Sequence, residues 1–222
     1  LNNLDVAVRS SANAEDLPDA SFAGQQETYL NVKGIDSVLI SIKNCYASLF
    51  TNRVISYRIS KKFDHTKVYM SVGVQKMVRS DLGSAGVAFS LDTESGNDNI
   101  ILINSSFGLG EMVVSGQVKP DEFIVHKNRM KNGFNSIVDK KLGNKTDKLI
   151  YSKKGCQRLE KVLINKNDMN SFSLSDKQIL QLANYVLTIE EYYTKMKNEK
   201  CPVDVEWALD GIDNELYRSE EH

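Results

Sequence analysis

The chain has 222 residues, 41% hydrophobic and 26% charged, with a formal net charge of −1. That length supports one large domain or two small lobes with a real core, and a near-neutral balance without charge blocks points away from nucleic-acid and membrane surfaces. Cys45, Cys156 and Cys201 are widely spaced and form no CxxC pair, which argues for reduced thiols and against a zinc site. No apolar run reaches the roughly 20 residues of a membrane span, and the opening LNNLDVAV is no signal peptide. The chain begins almost inside a strand, as a fragment lacking its N-terminal part would. A cytoplasmic location is expected.

In chain order, Val6 and Val8 alternate as in a short strand that runs into Arg9, Ser10 and Ser11. An acidic, proline-containing loop follows, then SFAGQQET with Gly24 among small residues. A strand ending in Arg-Ser-Ser with a glycine loop downstream can hold an anion, because guanidinium makes planar bonds to phosphate and glycine lets backbone N–H groups approach. The bland alternative is a surface loop with Arg9 in a salt bridge. Apolar spacing predicts a helix over Ile35 to Lys62, capped by Asp36 or Ser37, with Arg53 and Arg58 near its end or on a following helix. Val68 to Val78 reads as a strand, Ser80 to Ser84 as a turn and Ala85 to Leu91 as the returning strand of a hairpin. Gln75, Met77 and Val78 lie on the first of these strands. IILIN, Ile100 to Asn104, is a buried strand before SSFGLGEMVVSG.

Phe123 to Leu149 reads as a strand followed by a polar connection, the predicted hinge or insertion. Lys140, Lys141, Lys145 and Lys148 fit a solvated face there, with phosphate contact as the alternative. Asp121 and Glu122 are expected to be structural. Lys161 to Asn170 reads as a loop, and Leu174 to Lys197 as a helix capped by Ser175 with Ile179, Leu182, Ala183, Val186, Leu187, Ile189 and Tyr193 on its apolar face. In PVDVEWA, alternation puts Asp204 and Glu206 on one strand face and Val203, Val205 and Trp207 on the other. Two such carboxylates suit Mg²⁺, whose shell substrate phosphates complete; a half-exposed acidic strand is the alternative.

These strings, in this order, resemble the ATP-binding domain of the phosphoenolpyruvate synthase (pyruvate, water dikinase) family, shared with pyruvate phosphate dikinase and rifampin phosphotransferase. The resemblance runs from about Val6 to Tyr217: VRSSANAEDLPDASFAGQQET, the GLGE-MVV-S-G glycine motif with its following PDEF, and DVEW before Asp210-Gly211. It implies an α/β (α+β) fold of ATP-grasp-like type, incomplete at both ends, with ATP held between two lobes. It implies Arg9 and Arg58 as catalytic phosphate ligands, a solvated helix face being the alternative for Arg58 as for Arg53. Gly24, Gln25, Gln26 and Thr28 would cover the phosphates, and Gln75, Met77 and Val78 would line the adenine slot. Core packing is the alternative for Met77. Glu111 would assist the metal or ribose, a helix N-terminal carboxylate being the alternative. Asp204 and Glu206 would hold Mg²⁺. By the same resemblance the partners are ATP and the parent chain's downstream phosphohistidine and pyruvate-binding domains, with no nucleic acid and no membrane; a homodimer is compatible with it.

The chain departs from the family in two ways. A phosphate-binding lysine near the start has no counterpart. The glutamine that follows Leu-Tyr is replaced by the tail Arg218 to His222. His65, His126 and His222 match no phosphohistidine motif. Rifampin phosphotransferase and a nucleotide-sensing module without chemistry are the alternatives to a dikinase.

Overall fold

A computed structural model describes residues 4–12, 16–17, 20–21, 28–152 and 159–221. The chain divides into two compact units, one of residues 1–77 with 151–158 and one of 78–150 with 159–222.

In the first unit, β1 (Val6–Ala12) is followed by the short pair β2 (Asp16–Leu17) and β3 (Ala20–Ser21), then β4 (Thr28–Val32), α1 (Ile35–Ser48), α2 (Asn52–Ser60) and β5 (Met70–Lys76). β1 is the middle strand of an antiparallel three-stranded sheet, order β4-β1-β5. Alternation along β1 sends Val6 and Val8 to one face, where they bury with Val32 and Cys45 against Val38 and Ile42 of α1. Arg9 therefore belongs to the opposite face.

The single helix expected over 35–62 is two helices. α1 ends at Ser48, and Thr51 caps α2 by accepting the Val54 N–H. The β-branched Thr51 competes for backbone bonds with its hydroxyl, which favours a cap over a helix interior. The start of α1 is capped by Gly34 at φ 78°, with no side-chain bond, instead of by Asp36 or Ser37.

The second unit contains β6 (Ser84–Phe89), β7 (Ile100–Phe107), α3 (Glu111–Val114), β8 (Asp121–His126), α4 (Lys127–Lys131), β9 (Ile137–Lys141), β10 (Asp147–Tyr151), β11 (Leu159–Leu163), α5 (Lys166–Met169), α6 (Asp176–Lys197), β12 (Asp204–Leu209) and β13 (Leu216–Glu221). Its main sheet has six antiparallel strands in the order β13-β12-β6-β7-β8-β9. Ile101, Ile103, Phe123, Val125, Val205 and Trp207 on one face bury against Ile179, Leu182, Ala183 and Val186 of α6. Antiparallel sheets with helices on one face give the mixed helix–strand class expected, in its α+β form.

The hairpin expected over 68–91 does not form. β5 pairs with β1, whereas β6 pairs with β12 and β7. The connection is not a two-strand turn but a short 3₁₀ segment, Ser80–Leu82, in which Arg79 clamps Asp81 through Nε and Nη2 at 2.8 and 2.7 Å. Residues 161–170, expected as loop, include the end of β11 and all of α5. Gly86 explains how tightly β6 lies on β7: a Cβ there would sit 1.9 Å from the Asn104 carbonyl oxygen.

α6 begins as its sequence predicts. Ser175 and Gln178 form a capping box, each side chain accepting the other's backbone N–H. Ser175→Ala is expected to cost about 1 kcal/mol and Ser175→Gly only a few tenths; paired urea titrations check the difference. No helix among the described residues is long and apolar enough to cross a membrane.

Candidate nucleotide and metal site

In the first unit, three candidate residues share one sheet face. Arg9 lies directly opposite Thr28 on β4 and Gly73 on β5, and Gln75 is two pairs further along, opposite Ala7. Directly opposed residues project to the same side, here the side away from α1. Arg9 is half-buried, whereas Thr28 and Gln75 are exposed. With glycine opposite it, Arg9 has no side chain to contend with on the β5 side. Gly24, Gln25 and Gln26 lie outside the described residues.

Arg58 sits elsewhere in this unit, near the last turn of α2. It is 2% exposed, donates from Nη2 to the Leu49 carbonyl at the end of α1, and lies 5.8 Å from the Phe50 ring centre. A cation on the last carbonyls of a helix is favoured by its dipole. Its Nε is buried with no acceptor. Arg53 is exposed. Met77 is buried at 6% exposure, and its N–H donates to the Asp5 carbonyl at 2.9 Å.

In the second unit, β12 carries Asp204 and Glu206, both half-buried, alternating with buried Val205, Trp207 and Leu209. The alternation expected from the sequence holds. The carboxylates project away from the face packed on α6, opposite Phe89 and Val87 of β6. Among the described residues no three His, Cys, Asp or Glu side chains gather to hold a metal. Asp204 and Glu206 are two carboxylates on one strand face, two positions apart. Val78 is half-buried.

The glycine motif follows β7. Gly108 has φ 86°, and a Cβ there would meet the Leu149 carbonyl oxygen at 2.6 Å. Its glycine is thus already required by the chain's own packing on β10. Glu111 is exposed in the first turn of the four-residue α3.

Asp121 is more than the structural turn residue expected. Fully buried, it accepts bonds from the Gly143 N–H (2.8 Å), the Ser173 N–H (2.9 Å), the Ser173 hydroxyl (2.7 Å) and the Lys145 ammonium. Lys145, expected on a solvated face, is 0% exposed at its side chain. Its burial is tolerated because the ammonium is paired with Asp121 and lies over the Phe107 ring. A second buried pair, Lys127 with Glu190 at 2.6 Å, joins α4 to α6. Sequence reading also passed over Asn104. Its one signal was a polar residue closing the apolar run IILI, which alternation places opposite to Ile101 and Ile103.

The sequence matches the family described as pyruvate phosphate dikinase, AMP/ATP-binding domain, over residues 1–218. It is 56% identical to a phosphoenolpyruvate synthase of Aquifex aeolicus, over 96% of this chain and 25% of that protein. It is 52% identical to one of Helicobacter pylori (98% and 27%) and 48% identical to one of Escherichia coli K12 (97% and 27%). The chain thus spans about a quarter of the length of these relatives. The matched segment ends at residue 218. With nearly its whole length matched, the chain belongs to the pyruvate phosphate dikinase AMP/ATP-binding domain family.

Proposed function

We propose that this chain is the ATP-binding part of a phosphoenolpyruvate synthase, with an ATP-grasp-like fold. The whole enzyme then converts ATP, pyruvate and water to phosphoenolpyruvate, AMP and phosphate, passing the phosphoryl group through a histidine on a further domain. The observation that carries this reading is identity of 56% along nearly the entire chain to a protein of that name. We place it in the cytoplasm, where ATP is made and thiols stay reduced.

Arg9 neutralises phosphate charge, and Gly24, Gln25, Gln26 and Thr28 contribute to binding the phosphates. Arg58 supplies a second cation: its Nε, a buried donor with no acceptor, is the kind of group an anion satisfies. Gln75, Met77 and Val78 border the base. Glu111 serves the ribose or metal. Asp204 and Glu206 hold Mg²⁺, which when bound offsets charge developing on the transferred phosphoryl group. The remaining work is positioning and charge stabilisation.

Calorimetric titration of the chain with ATP, with and without Mg²⁺, tests this reading. Mg²⁺ is expected to strengthen binding. In the Asp204→Asn, Glu206→Gln double variant that gain should vanish, a loss of about tenfold or more, since each charge-assisted contact is worth roughly that much. The thermal midpoint should hold, because both side chains are half-exposed. Equal binding by wild type and double variant in Mg²⁺ would remove the metal assignment, and no binding by the wild type would remove the function.

A further inference from the structure

The six-stranded sheet carries a row of directly opposed residues: Glu206 on β12, Val87 on β6, Asn104 on β7 and Glu122 on β8. Members of such a row project to the same side of the sheet. Asn104 therefore shares a face with Asp204 and Glu206, while its chain neighbours Ile103 and Ser105, both 0% exposed, point to the opposite face. Strand spacing puts the Cα atoms of Asn104 and Glu206 roughly 10 Å apart. Two side chains leaning toward each other over the small Val87 can span that distance through one hydrated cation.

The carboxamide of Asn104 is also unusual in its own right. Its oxygen is buried with no hydrogen-bond partner, although the residue as a whole is half-buried. A buried carbonyl without a donor destabilises a fold, and native proteins seldom keep one without a use. Leucine or valine would fill the same place at less cost. Rotation about the last side-chain bond exchanges the oxygen with the amide nitrogen, which brings the oxygen to the accessible side and the amide N–H groups into its former place.

We propose that Asn104 is a further binding residue for the metal–nucleotide complex, its carbonyl oxygen accepting from a water in the shell of the cation held by Asp204 and Glu206. The inference rests on the Mg²⁺–ATP reading above and adds to it a third protein oxygen. A neutral amide oxygen suits this task, because Mg²⁺ keeps several of its waters and those waters are strong donors. It also adds no negative charge beside the phosphates.

The test uses Asn104→Leu and Asn104→Asp in this chain, with Mn²⁺ as probe. Free Mn²⁺ is counted by electron paramagnetic resonance in the presence of ATP, and thermal unfolding is followed without ligand. Asn104→Leu should weaken Mn²⁺ uptake about tenfold, as loss of a bond to a charged assembly does, while its unliganded thermal midpoint stays equal or rises. Asn104→Asp should tighten uptake. Wild-type uptake in Asn104→Leu overturns the proposal with the Mg²⁺–ATP reading intact, whereas no uptake by the wild type overturns both. A clear drop in the midpoint of Asn104→Leu makes the residue structural. Weaker uptake in Asn104→Asp means that the amide N–H meets phosphate instead, and the assignment to the cation fails.

Discussion

Arg9→Ala is expected to lower ATP affinity by about 10- to 100-fold while leaving the melting temperature within a degree or so. Bonds from a charged donor to a charged acceptor contribute about 1.5–3 kcal/mol each, and about 1.4 kcal/mol is a factor of ten. Arg9 stands on the middle strand of its sheet, on the face away from the Val6 and Val8 core. Removing its side chain therefore opens no cavity among those residues. Arg9→Lys should recover only part of the loss, since an ammonium lacks the paired donors of guanidinium. Calorimetry on the three proteins, with a melting curve for each, reads both quantities. If Arg9 serves only an ion pair near the surface, Arg9→Ala would shift stability by about 0–1 kcal/mol and leave ATP binding unchanged. That outcome would remove the centre of the nucleotide assignment.

Short-range chemistry was legible in the sequence. The Ser175 cap, the alternation of PVDVEWA and the apolar face of α6 follow from periodicity and local hydrogen bonding, and all three are present. Arg9, Thr28 and Gln75 were named from motifs, and the sheet register brings them to one face. Pairing partners were not legible. Val68 to Val78 and Ala85 to Leu91 look like a hairpin because two β-rich runs flank a turn, yet β5 and β6 join different sheets. Nothing local distinguishes the two cases, since strand pairing is decided by the whole sheet and not by the turn alone.

The polar stretch after β8 misled for a related reason. Lys145 sits among lysines and asparagines, and composition alone gives it a solvated place. What buries it is Asp121, 24 residues earlier, a pairing that no periodicity announces. Arg58 is similar. A basic residue near the end of a helix reads as a surface group, but the break at Leu49 to Thr51 turns α2 so that Arg58 meets the exposed carbonyl end of α1. Gly108 shows the converse, a motif glycine that the fold needs for its own packing against Leu149.

The Asp121 cluster should dominate the stability of the second unit. Its carboxylate ties together β8, the Gly143–Lys145 segment and the Ser173 turn before α6, and Ser173 in turn bonds Ser105 of β7 at 2.8 Å. Asp121→Ala strands a buried ammonium and two backbone N–H groups, and leaves the Ser173 hydroxyl with Ser105 alone. Breaking a buried pair by removing one partner costs about 3–5 kcal/mol, a large share of the roughly 5–15 kcal/mol that holds a domain together. Lys145→Met should cost less, because three neutral donors remain on the carboxylate and methionine fills the space of the lysine stem beside Phe107. The double variant should be less destabilised than the two single losses added, since Lys145 is no longer left as an unpaired charge. Urea unfolding of the four proteins gives the cycle. Losses below about 1 kcal/mol for Asp121→Ala, the range of an exposed pair, would mean that the cluster does not hold the unit together.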